Sequence, residues 1–107
     1  MAFNFLNFLA AQAPQIRKFP SQVTKENGPT SLNCRSRGAP SPKIQFFKDG
    51  VEILSGTNGY VIVGRKLNIK EPKFPEHDGQ YTCSVSNMFG KAKKEANLTV
   101  TGTSYSM

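Results

Sequence analysis

The sequence predicts an all-β protein, an antiparallel sandwich of two sheets, on three observations. Apolar and polar residues alternate over short runs, as in Ser31-Leu32-Asn33-Cys34-Arg35, which is the period of a strand with one buried face. Nine glycines and seven prolines punctuate those runs, so turns recur throughout the 107 residues. Asp78-Gly79-Gln80-Tyr81-Thr82-Cys83 then leads into a central strand, because Tyr81, Cys83 and Val85 share one face while Gln80, Thr82 and Ser84 share the other.

Taken in order, Ile16 and Phe19 lie in a first edge strand that Pro20 kinks; Val23 follows, and Asn27-Gly28-Pro29 turns the chain. Ser31 to Ser36 forms the next strand. Gly38 to Pro42 should not continue it, since two prolines remove backbone donors and fix backbone angles. Ile44 and Phe46 point inward and Gln45 and Phe47 outward, and Asp49-Gly50 is a hairpin turn into Val51 to Leu54. Ser55 to Gly59 is a flexible loop. Tyr60 to Val63 and Arg65 to Lys70 are two further strands, with Leu67 and Ile69 inward. Pro72-Lys73-Phe74-Pro75 crosses back to the Cys83 strand, with Phe74 expected to plug the crossing. After the turn at Asn87 to Gly90, Ala96, Leu98 and Val100 alternate inward while Lys93, Glu95 and Asn97 face solvent.

These spacings resemble an immunoglobulin-like domain, most closely the intermediate set of cell-adhesion molecules, receptor ectodomains and muscle filament proteins. The resemblance covers roughly residues 14 to 101. It is carried by Leu32 and Cys34, by Gly38-Ala39-Pro40-Ser41-Pro42 ahead of Ile44 to Gly50, by Leu67 and Ile69, and by Asp78 to Cys83, with Asn87 and Gly90 fitting the last hairpin. The split first strand suits this set. The resemblance implies an inter-sheet disulfide between Cys34 and Cys83, and a tyrosine corner in which the Tyr81 hydroxyl bonds backbone a few residues upstream. Two positions depart from the family pattern. Phe46 stands where the family carries tryptophan, so Phe74 or Leu67 is expected to lean in and fill the difference. His77 stands six before Cys83, where the family carries aspartate.

A bond closing a loop of about 50 residues would stabilise by roughly 4 kcal/mol and would persist in an oxidising compartment. The alternative is two reduced cysteines buried as small hydrophobes, as in cytosolic relatives of the fold. One domain uses nearly all of the chain, leaving an apolar, uncharged segment at 1–13 and a loose tail at 102–107. The first segment reads as a signal peptide cut after Ala11-Gln12-Ala13, as a retained extension packing Phe3, Leu6 and Leu9, or as sequence added for expression. It is too short to span a bilayer.

Little here can carry catalysis. The one histidine, His77, lies in a crossing loop and is expected to be a corner residue near the surface, and a lone histidine beside paired cysteines leaves no zinc set. No cofactor site is expected. The net charge of +7 comes in clusters at Arg17-Lys18, Arg65-Lys66, Lys70, Lys73, Lys91 and Lys93-Lys94, which would attract polyanions: heparan sulfate outside the cell, or actin and acidic phospholipid inside it. Nucleic acid is disfavoured, because those cations are not interleaved with exposed aromatics. Asn97-Leu98-Thr99 is an acceptor sequon for N-linked glycan on a secreted chain.

The leading expectation is a non-enzymatic recognition or adhesion module, secreted or on a cell surface, that binds another protein such as a receptor or adhesion molecule. Its candidate face holds Gln45 and Phe47, Thr82 and Ser84, and Lys93 and Glu95, with Phe47 as an exposed aromatic anchor. The alternatives are an intracellular sarcomeric or cytoskeletal domain and a heparan sulfate or growth-factor co-binding module.

Overall fold

The computed structural model describes residues 11–102, and ten strands account for most of them. One layer holds β3 (Thr30–Asn33), β8 (Lys66–Ile69) and β7 (Tyr60–Val63) in that order, with β1 (Gln12–Lys18) paired to β4 (Arg35–Ala39) beside them. The other is the five-stranded sheet of β2 (Gln22–Lys25), β10 (Gly90–Thr101), β9 (Gly79–Asn87), β5 (Lys43–Lys48) and β6 (Val51–Glu52). All pairings are antiparallel except β2 with β10. The first strand is therefore split at Phe19-Pro20-Ser21: β1 belongs to one layer and β2 crosses to the other.

Alternation decides what is buried. Leu32, Leu67 and Ile69 from one layer meet Phe46, Tyr81, Cys83, Val85, Leu98 and Val100 from the other, all essentially inaccessible to solvent. Each such side chain contributes roughly 1.5–3 kcal/mol relative to exposure. Cys34 and Cys83 are bonded across the layers, with their Cα atoms 6.4 Å apart. Phe46 lies directly opposite Cys83 in the β5–β9 register.

Several local expectations are corrected. The space beside Phe46 is filled by Phe19, with ring centroids 6.1 Å apart, while Phe74 is exposed and plugs nothing; the buried side chain of that crossing is Pro72. Phe19 takes the position because the crossing of the split strand carries it between the layers. Gly38 and Ala39 do continue β4, because β1 supplies their partners as far as Gln12 opposite Ala39. The hairpin at Asp49-Gly50 forms as expected, with φ of 52° and 81°, a pair of positive angles that matches the twist of two-residue hairpins. Its return strand β6 is only two residues long, however, and Ile53 turns into the core.

β1 begins at Gln12, so a cut after Ala13 would remove the residue that pairs with Ala39. The readings of residues 1–10 and of the tail from 103 fall outside the described residues.

Candidate interaction surface

The six residues expected to form a protein-binding face lie on one side of the five-stranded sheet, in two adjacent rows. Gln45, Ser84 and Lys93 are directly opposite one another across β5, β9 and β10, as are Phe47, Thr82 and Glu95. Glu52 on β6 extends the second row, and its carboxylate accepts a hydrogen bond from the Gln45 amide at 3.0 Å. Burial differs from simple alternation. Phe47 is half-buried rather than exposed, and Ser84, on the central strand of the three, is buried at 6% exposure. Lys93 and Glu95 are exposed. None of the six is among the large apolar side chains that do reach solvent, which are Val23 on β2, Val51 on β6, Leu54, Val61 and Val63 on β7, Phe74, and Met88 and Phe89 at the β9–β10 turn.

The clustered cations separate into different places. Arg17, Lys18 and Arg65 converge on one groove. Lys70 and Lys73 instead flank a depression that also holds Glu71 and Glu76, and the Lys73 ammonium donates to Asn27 Oδ1 at 2.6 Å. Lys66 is exposed on β8 opposite Asn33. Lys91 and Lys94 are exposed on β10, where Lys94 stands opposite Cys83 in register yet reaches solvent. A charge on the inward side of an edge segment discourages pairing with another chain. Arg35 and Arg37, absent from the expected clusters, join the Arg17 groove through the β1–β4 register, where Lys18 is opposite Arg35 and Gln15 opposite Arg37. Only that pairing, which the sequence did not specify, could have found them.

His77 is not at the surface: it is 3% exposed. Its Nδ1 accepts from the Lys73 backbone N–H at 2.8 Å, so Nε2 carries the proton and donates to the Asn58 carbonyl at 2.8 Å. The ring also meets Tyr60 edge-on at 5.2 Å. The Tyr81 hydroxyl donates to the His77 carbonyl, closing the expected corner, and lies 2.9 Å from the Tyr60 hydroxyl. Burial raises both tyrosines above the ordinary phenol range, and for Tyr81 the bond to Tyr60 raises it further. Asp78, one residue after His77, accepts from the Val100 N–H at 2.8 Å. Both ring nitrogens of the one histidine are thus committed to backbone, and no cluster of three or more metal-binding side chains occurs among the described residues. Asn97 is exposed on the outer side of β10, opposite Gln80, as the sequon requires.

Sandwich, cross-layer disulfide and tyrosine corner together define an immunoglobulin-type domain. The family model for the immunoglobulin domain matches residues 13–87, and the chain belongs to that family; the split first strand is consistent with the intermediate set. The chain is similar to mouse inactive tyrosine-protein kinase 7, at 31% identity over 90 residues, covering 81% of this chain and 8% of that protein. It is also similar to mouse vascular endothelial growth factor receptor 1, at 35% identity over 78 residues, covering 73% of this chain and 6% of the receptor. Among solved structures, a chimeric titin Z1Z2 carrying a decorin peptide superposes with a TM-score of 0.75 at 29% identity, over 87% of this chain and 99% of that one. The chain thus spans a small fraction of the curated relatives it matches. No helix among the described residues is long and apolar enough to cross a membrane.

Proposed function

We propose that the chain is a non-enzymatic protein-recognition module of an extracellular, oxidising compartment, and that its partner docks on the outer face of β5, β9 and β10. The observation that carries this reading is the register that aligns Gln45, Ser84 and Lys93 beside Phe47, Thr82 and Glu95. A half-buried aromatic on β5, small polar groups on the central strand β9 and opposite charges at the exposed rim on β10 form a face that offers both apolar and charged contacts. The Cys34–Cys83 bond supports the oxidising compartment, since such bonds are rare where thiols are kept reduced. That one similar protein is by name a growth factor receptor supports the recognition role. A second reading, an intracellular sarcomeric or cytoskeletal domain, draws on the likeness to titin.

The face is tested by placing a photoreactive amino acid at Thr82 or, as control, at Asn68 on the outer side of the opposite layer, and presenting each protein to intact cells of its source tissue. A discrete adduct from position 82 and none from position 68 is expected. Equal labelling from both, or labelling from 68 alone, would contradict the reading.

A further inference from the structure

The chain has four arginines, Arg17, Arg35, Arg37 and Arg65, against ten lysines, and all four line the same groove. The groove has a volume of about 660 Å³; besides the arginines it is lined by Lys18, Asn33 and Ser36, so it holds five cations and no carboxylate. Three separate elements bring them together. β1 supplies Arg17 at a register shift beside Lys18, β4 supplies Arg35 and Arg37 two positions apart on its exposed side, and the β7–β8 turn supplies Arg65.

Two of the arginines are held in place by neutral partners. The Arg37 guanidinium donates twice to Gln15 Oε1 at 3.1 Å, and Arg65 Nη1 donates to the Ser36 carbonyl at 3.2 Å. The one ion pair among the described residues, Lys48 with Asp49, lies elsewhere, and residues 1–10 and 103–107 contain no Asp or Glu that could neutralise the groove. Five unneutralised cations gathered in one groove repel one another, and an anion received there would relieve that repulsion. The type of cation is also informative. A solvated basic surface is satisfied by lysine, whereas the planar guanidinium is suited to forked hydrogen bonds with sulfate, phosphate or carboxylate.

The groove does not end at these residues. A second depression of about 500 Å³, lined by Ser41, Pro42, Ile44 and Gly64, shares Ser36, Arg37 and Arg65 with the first. Together they make an open track along β4 rather than a closed pocket, the shape for a linear chain of anions. No aromatic side chain lines either depression, which disfavours single-stranded nucleic acid, because bases would have nothing to stack on.

We propose that this arginine track binds a linear sulfated polysaccharide. Its arginines come from β1, β4 and the β7–β8 turn, outside the outer face of β5, β9 and β10, so both can be occupied at once, and it does not depend on that face being an interface.

The test is calorimetric titration of the whole chain with a size-defined heparin oligosaccharide over a salt series. R35A/R37A should weaken binding about ten-fold and flatten the slope of log K against log salt by about 1.4, the share of two lost contacts. K70A/K91A, the same loss of charge outside the track, should change affinity less than about two-fold. R35K/R37K, which keeps the charge and loses the planar fork, should fall between the two, and it decides the case if the alanine pair fails to fold. Equal losses in R35A/R37A and K70A/K91A, or unchanged affinity in R35K/R37K, would overturn the proposal. So would tighter binding to polyuridylate or to phosphoinositide vesicles than to heparin at the same salt.

Discussion

Replacing His77 by alanine should cost the domain far more than a corner residue near the surface would, and the structure gives the sum. The ring accepts one backbone hydrogen bond at Nδ1 and donates another at Nε2, joining the crossing loop at Lys73 to the Ser55 to Gly59 loop at Asn58. Each bond is worth about 0.5–1.5 kcal/mol net, so both together contribute about 1–3 kcal/mol. The edge-on contact with Tyr60 adds about 0.5–1.5 kcal/mol beyond its buried area. Water reaching the exposed loop atoms would recover part of this, and the expected loss for His77→Ala is about 1–4 kcal/mol. The assay is urea unfolding followed by tyrosine fluorescence, comparing midpoints at an unchanged slope. His77→Asn keeps an acceptor near the Nδ1 position and should recover a measurable part of the loss. A loss below about 1 kcal/mol for His77→Ala, with the fold intact, would refute the reasoning that these two bonds hold the loops.

Further outcomes follow from the same geometry. Phe19→Ala should destabilise by about 3–5 kcal/mol as a core truncation beside Phe46, whereas Phe74→Ala should stay within about 0.5 kcal/mol, and thermal melts of the two variants rank them directly. The contribution of Tyr60 and Tyr81 to stability should be constant with pH below about 10 and fall above it. The sign follows because Tyr60 and Tyr81 have raised values when folded, so the unfolded chain ionises first and is favoured as protons leave; Tyr81→Phe should make the alkaline loss shallower in denaturant titrations at successive pH values. Ser36 Oγ is the one buried side-chain oxygen among the described residues without a hydrogen-bond partner, so Ser36→Ala should be neutral or stabilising by up to about 1 kcal/mol in the same unfolding assay.

Much of this architecture was legible because strand periodicity needs only neighbours. Leu67, Ile69, Tyr81, Cys83, Ala96, Leu98 and Val100 alternate in sequence and are buried as alternation requires. What escaped depended on residues far apart in the chain. Phe19 reaches Phe46 only because the first strand changes layers, and a lone phenylalanine before a proline does not announce its destination. His77 looked peripheral because its value lies in two backbone groups that no sequence pattern marks. The arginine track was half visible: Arg17 and Arg65 stood out as members of charge pairs, but Arg35 and Arg37 join them only through the pairing of β1 with β4. Exposure on the candidate face also escaped, since alternation gives the direction of Phe47 and Ser84 but not how deeply they are buried.

A free-thiol titration on denatured protein, taken from its native source and quenched in acid at lysis, tests the proposed extracellular recognition module most directly. Cys34 and Cys83 are its only cysteines. No reactive thiol before reduction and two after it is the predicted result. Two thiols before reduction would show that the layers are joined by packing alone in the cell, and would contradict the oxidising compartment in which the module is placed.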